Sequence, residues 1–147
     1  MSIITGSLLS LGLCASSFIR YRFRVSENGP TIGLGIAGFG TVGAGVWNVL
    51  ARNGGLISER AGGALKFEIR RIVVRDPKKA REAAAPADLF TTDWQVMVAD
   101  PGVEVVVELI GGTDTAYELV AAALIASKPV VTGNKALLAE RGADLFE

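Results

Sequence analysis

The sequence contains no histidine. That absence excludes Ser-His-Asp and Cys-His nucleophilic catalysis, H-E-x-x-H zinc sites and imidazole acid–base chemistry from this chain. Cysteine is almost as scarce. Cys14 stands alone, so no internal disulfide and no cysteine-rich metal site can form, and no bound metal is expected. Such usage suits a reducing cytoplasm, the compartment expected here. Net charge is missing too, because fifteen basic and fifteen acidic residues cancel. Without a domain-wide basic field, nucleic acid is not an expected partner. What remains is a chain of 147 residues, 50% apolar and 20% charged, with 18 glycines. That composition describes a globular protein with room for one domain and its core.

Residues 1–30 stand apart. Ile3 to Ile19 is apolar and rich in small residues, but no Lys or Arg precedes it and Arg20, Arg22 and Arg24 follow it. A secretory signal has the opposite charge order, and about 17 residues is the lower limit of a transmembrane helix. Positive charge after the run would suit an inverted anchor. The preferred expectation is an atypical, disordered extension or a start codon assigned too far upstream, with the folded domain beginning near Thr31.

From Thr31 an apolar run leads into Gly38-Phe39-Gly40-Thr41-Val42-Gly43. An extended segment feeding G-x-G-x-x-G and then a helix is the arrangement that holds a dinucleotide's pyrophosphate. Gly38 allows the sharp turn, Gly40 lets backbone approach the phosphates, and Gly43 lets helix and strand pack closely. The helix that follows aims unpaired N–H groups and a positive dipole end at the anion.

Helical spacing of Val42, Val46, Val49 and Leu50 predicts a first helix to about Asn53, ended by Gly54-Gly55. Leu56 to Leu65 reads as a loop with room for a helical turn, and Phe67 to Arg75 as the second strand, stopped by Asp76-Pro77. A short helix over Lys78 to Ala85, a marginal strand at Leu89 to Thr91 and a short helix from Trp94 to Ala99 follow. Val103 to Ile110 is β-branched enough for a strand buried on both faces. Beyond Gly111-Gly112 come a helix from Ala116 to Ala126, a strand Val130 to Thr132 and a helix from Ala136 to Phe146. Strands alternating with helices predict a doubly wound parallel sheet of the Rossmann type. Because the last helix runs to the end of the sequence without a cap, the domain (31–147) is expected to be incomplete at its carboxyl end.

In such sheets ligands gather where strands end. Four strand ends carry suggestive residues: Gly38 to Gly43, Arg75-Asp76, Gly111-Gly112-Thr113 and Gly133-Asn134-Lys135. A carboxylate after the second strand would bind the ribose 2′-hydroxyl of NAD, whereas an arginine would pair with the 2′-phosphate of NADP. Both are present as Arg75 and Asp76, so the residues favour NADP and leave NAD open. Lys78, Lys79 and Arg81 read as a solvated charged turn. Lys135 is the one candidate catalytic side chain, placed where an ammonium could orient a cofactor or polarise a substrate oxygen. Glu104 and Glu108 share a strand face. Glu104 is expected at the exposed start, and Glu108 in a buried hydrogen-bonding role.

The segments Gly35 to Gly43, Val74-Arg75-Asp76, Val106 to Gly112 and Val130 to Ala139 resemble, in order and spacing, the amino-terminal cofactor domain of homoserine dehydrogenase. The likeness spans about residues 31–147. It implies NAD(P)-dependent reduction of aspartate semialdehyde to homoserine, in threonine and methionine biosynthesis. It implies that Phe39, Thr41 and Val42 touch the phosphates and that Arg75 meets the 2′-phosphate. Gly111, Gly112 and Asn134 would complete the cofactor site. Lys135 would match the lysine of the family's Thr-Ala-Asn-Lys segment, near nicotinamide and substrate; here glycine replaces the alanine. The apolar extension is foreign to the family. Its substrate domain, which supplies the acidic substrate ligand, the proton-donating lysine, a metal site and the dimer interface, has no counterpart here. Homo-oligomers are accordingly expected only with that domain. The competing expectation is a stand-alone, non-catalytic NADP-binding module; a related oxidoreductase such as an aspartate dehydrogenase or dihydrodipicolinate reductase relative fits the last two segments less well.

Overall fold

Apolar, β-branched runs alternate with amphipathic segments, and each run finds its backbone partners in other runs rather than in its neighbours along the chain. The computed structural model describes residues 24–26, 29–63, 65–77 and 85–146. The strands are β1 (Arg24–Ser26), β2 (Gly29–Ala37), β3 (Lys66–Val73), β4 (Phe90–Thr91), β5 (Val105–Glu108) and β6 (Val130–Thr132). The helices are α1 (Thr41–Arg60), α2 (Trp94–Ala99), α3 (Asp114–Ile125) and α4 (Lys135–Phe146).

The sheet order is β4-β3-β2-β5-β6, every pair in that path parallel. From β2 the chain steps outward to β3 and β4, then returns across the sheet to β5 and β6. The doubly wound α/β fold expected from the sequence is the observed one. Its order reverses between β2 and β5, whose carboxyl ends pair at Ala37 and Glu108.

Helices cover both faces. On one face α1 packs Ala44 and Trp47 against Phe39, Ile72 and Val74. The other face holds the larger cluster, including Met97, Val103, Val106, Leu119 and Leu137, contributed by α2, α3, α4, β5 and the segment just before β5. Met97, Leu119 and Leu137 are inaccessible to solvent. Complete burial of such side chains contributes about 1.5–3 kcal/mol each.

At the opposite edge of the sheet from the strand ends, Asp100 gathers a polar cluster. Its carboxylate accepts from the Gly102 N–H at 2.7 Å and from Arg71 Nε at 2.9 Å, while Lys128 Nζ donates to the Asp100 carbonyl at 2.6 Å. The Gly102 N–H and the Arg71 guanidinium hold the Asp100 carboxyl below the usual carboxylate range, against the opposing effect of partial burial. Burial pushes the Lys128 ammonium down, partly offset by Asp100.

Several expectations are corrected. The first helix does not stop at Gly54-Gly55. It continues to Arg60 and ends at Gly62 and Gly63, with φ of 91° and 77°, where the Gly63 N–H returns to the Ser58 carbonyl. Left-handed backbone satisfies the last carbonyls, and that is what terminates a helix. Leu56 to Arg60 is therefore helix rather than loop. Of its apolar positions, Val42 and Val49 are exposed, and Gly43 and Ala44 form the buried face. The ladder also begins before Thr31, because β2 starts at Gly29 and pairs antiparallel with β1. Strands β3 and β5 are shorter at their carboxyl ends than the apolar runs suggest. Glu104 is half-buried, not exposed, and its Oε2 accepts from the Gly33 N–H at 2.8 Å. The anticipated helix at Lys78 to Ala85 (all but its last residue), the apolar run Ile3 to Ile19 and Cys14 lie outside the described residues. Among the described residues no helix is long and apolar enough to cross a membrane.

Candidate cofactor-binding site

Parallel strands end on one side, so Ala37, Val73, Glu108 and Thr132 deliver their following loops to the same edge. Over the reversal point lies a cleft of about 940 Å³. Leu109 and Ile110 line it beneath the Gly38–Gly40 turn, with Val73 to Asp76 opposite. A second cleft of about 330 Å³ shares Leu109, Ile110 and Gly111 with the first and extends to Val42, Asn134 and Lys135. The two make a trough from Arg75, past the glycine turn, to Lys135.

The three motif glycines do different work. Gly38 has φ of 96°, and a Cβ there would lie 2.6 Å from the Leu109 carbonyl oxygen. A Cβ on Gly43 would lie 2.2 Å from the Gly38 carbonyl oxygen, so the start of α1 can rest on the turn only with glycine there. Gly40 differs from both: a Cβ there would meet nothing within 4 Å. Its surroundings are open space in the cleft. Gly40 is also the N-cap of α1, with no side chain capping the helix and no acidic residue in its first turn. First-turn N–H groups without a protein acceptor, together with the helix dipole, form an anion site.

Phe39 lines the larger cleft yet is only 6% exposed, and its ring packs edge-on against Phe90, 5.3 Å between centroids. Thr41 is exposed at the first position of α1, and Val42, 63% exposed, presents bare apolar surface to the second cleft. Arg75 is exposed at the far rim and makes no ion pair among the described residues; Asp76 lies beside it.

At the other end a chain of hydrogen bonds ties two loops together. Glu108, inaccessible to solvent, accepts from the Ile110 N–H at 2.8 Å and from the Thr132 hydroxyl. The same hydroxyl accepts from the Asn134 N–H at 2.9 Å. Asn134 Nδ2 donates to the carbonyls of Ile110 at 3.2 Å and Gly112 at 2.6 Å, and its Oδ1 caps α4 by accepting from the Leu137 N–H at 3.1 Å. The Asn134 side chain is thus spent on protein groups, and it fixes Gly111 and Gly112, the latter in left-handed backbone with φ of 88°. Lys135 follows at the first position of α4, exposed and without an ion pair among the described residues.

The trough therefore brings together Gly38, Gly40, Arg75 and Gly111 in one cleft and Val42, Gly111, Asn134 and Lys135 in the other. Thr41, Gly43 and Gly112 are not among the residues lining either cleft. Sequence reading missed Leu109, Ile110, Thr92 and Thr115, which line the larger cleft. It missed Thr132 as well, although Thr132-x-Asn134 before a helix carries a capping signal. Among the described residues no group of three or more acidic, cysteine or histidine side chains could hold a metal ion.

Known proteins carry the same arrangement. The family model described as homoserine dehydrogenase, NAD binding domain, matches residues 38–147. Homoserine dehydrogenase of Corynebacterium glutamicum is 44% identical over 119 residues, 81% of this chain and 26% of that protein. That of Pseudomonas aeruginosa is 45% identical over 114 residues, covering 77% and 25%. The crystal structure of homoserine dehydrogenase from Thiobacillus denitrificans superimposes with a TM-score of 0.72 at 42% identity, covering 81% of this chain and 27% of that one. The chain thus spans about a quarter of the length of the curated relatives it matches. It belongs to the homoserine dehydrogenase family, and residues 38–147 are that family's NAD-binding domain.

Proposed function

We propose that this chain is the NADP-binding portion of a homoserine dehydrogenase whose complete form reduces aspartate semialdehyde to homoserine. The observation that carries the reading is the continuous trough, with open space at Gly40, a helix end without a side-chain cap beside it and, at the rim, the Arg75 guanidinium, which makes no ion pair among the described residues. Those features fit an extended dinucleotide: pyrophosphate at Gly40 and the first turn of α1, the 2′-phosphate against Arg75, and the nicotinamide toward Val42, Gly111 and Lys135. A bound nicotinamide cofactor supplies the hydride. Gly38 and Gly43 shape the turn, and the Asn134 amide holds the loop beneath the ring. Lys135 places a positive charge where a substrate carbonyl oxygen gains electron density.

Among the described residues, Lys135 is also the one ionisable residue lining the nicotinamide end. Hydride transfer requires a positioned substrate as well as a positioned cofactor. The isolated chain is therefore expected to bind cofactor and to show negligible turnover. Isothermal titration with NADPH and NADH, followed by an absorbance assay with aspartate semialdehyde, tests both halves of this reading. Saturable binding without oxidation of NADPH is the expected result. Steady-state turnover would overturn the second half, and absence of binding the first.

A further inference from the structure

Glu108 poses a physical problem that cofactor binding alone does not answer. It is inaccessible to solvent, sits on a central strand and makes no ion pair among the described residues. A carboxylate in such a place carries a desolvation cost that a valine would not. Its two oxygens are both engaged, one by the Ile110 N–H and the other by the Thr132 hydroxyl. Thr132 in turn receives the Asn134 N–H, and Asn134 grips the Ile110 and Gly112 carbonyls and caps α4. The bonds therefore form a closed circuit: Glu108 to Thr132, Thr132 to Asn134, Asn134 to Ile110 and Ile110 back to Glu108. Every residue of the circuit lies on the β5 and β6 side of the reversal point, and none belongs to the Gly38–Gly43 turn or to Arg75.

We infer that Glu108 and Thr132 are positioning residues for the nicotinamide end of the trough, acting through Asn134 to hold the Gly111–Gly112 loop and the start of α4, and with it Lys135, in one fixed arrangement. This rests on the trough being the cofactor site. A closed circuit is rigid because each donor and acceptor is already committed, and moving one loop breaks bonds in the other. Two separately tethered loops would not share that constraint. Ile110 lines both clefts, but the Gly38–Gly43 turn and Arg75 belong to β2, β3 and α1 and make no bond of the circuit, so the device acts chiefly on the nicotinamide end of the ligand.

The test separates the halves. Purified full-length chain is titrated with NADPH and with adenosine 2′,5′-bisphosphate, which carries the adenosine and 2′-phosphate but no nicotinamide. Thr132→Val removes the hydroxyl at nearly constant volume, and Thr132→Ser restores it. Glu108→Leu removes both acceptors at similar volume, so it serves as a second break if Thr132→Val does not fold. In either breaking variant NADPH affinity is expected to fall about tenfold, the loss of about one charge-assisted contact. Affinity for the bisphosphate should stay within about twofold, as for a distant independent site. Thr132→Ser should restore NADPH binding and the enhanced nicotinamide fluorescence of the bound state. Equal losses for both ligands would show a merely structural role and overturn the inference. So would unchanged NADPH binding in a breaking variant beside normal binding by the unaltered chain. If the unaltered chain binds neither ligand, the trough reading itself is wrong and this inference falls with it.

Discussion

Substituting alanine at Gly40 and at Gly43 should separate ligand space from packing space within one motif. A Cβ on Gly43 would lie 2.2 Å from the Gly38 carbonyl oxygen, a backbone atom that cannot swing aside. Overpacking of this kind costs about 1–3 kcal/mol, and a rigid backbone neighbour puts Gly43→Ala at the upper end. For a domain of this size, about 3 kcal/mol lowers Tm by roughly 10 °C. Gly40 has open space around its Cβ position and a negative φ of −82°. Alanine is a poorer N-cap than glycine, by less than about 1 kcal/mol, so Gly40→Ala should melt within a few degrees of the unaltered chain. The added methyl instead occupies the approach of the phosphates to the first turn of α1. Losing a charge-assisted hydrogen bond there removes about 1.5–3 kcal/mol, roughly ten- to a hundredfold in Kd. Calorimetric melts and NADPH titration of the two variants read these quantities side by side. The reasoning fails if Gly40→Ala binds NADPH like the unaltered chain, or melts as low as Gly43→Ala.

Three further outcomes are expected. Arg75→Asp should reverse a preference for NADPH over NADH; charge-assisted pairing at an exposed rim is worth about 1–2 kcal/mol, and the preference should shrink as salt is raised. Equal affinity of the unaltered chain for both cofactors would remove its basis. Gly54→Ala and Gly55→Ala lie inside α1, where an added Cβ meets nothing within 4 Å. Each should therefore raise stability by about 0.5–1 kcal/mol, visible as a higher Tm. Asp100→Asn should cost about 1 kcal/mol at neutral pH, a modest figure because the Arg71 side chain is 38% exposed. Because folding lowers the Asp100 pKa from its ordinary value of 3.8, the stability it confers is present above that value and lost as pH falls through the folded pKa. The difference between the two proteins in denaturant melts should therefore vanish in acid; a constant difference across pH would refute the linkage.

Much of this molecule is legible in its sequence. The parallel sheet follows from β-branched runs such as Val105-Val106-Val107 alternating with amphipathic segments, because neither can bury its apolar surface alone. The motif glycines were readable because each serves a different steric need. Two Gly-Gly pairs in and after α1 were not distinguishable in advance. Gly54-Gly55 stays helical at a cost of about 1 kcal/mol per glycine, while Gly62-Gly63 takes the left-handed backbone that ends the helix. Phe39 illustrates a similar limit: its place in the motif puts it at the phosphates, but only the structure shows its ring packed edge-on against Phe90. The two cross-links of the circuit, Thr132 to Glu108 and Asn134 to Ile110, each join residues 24 apart in sequence, and the register of β5 with β6 creates them.

The most direct test of the central claim is a fluorescence titration of the purified chain with NADPH, alongside NADH. The trough predicts saturable binding of NADPH with enhanced nicotinamide emission, and weaker binding of NADH. No saturable signal with either cofactor, from a chain whose melting shows it to be folded, would contradict the assignment of the β2–β5 crevice as a dinucleotide site.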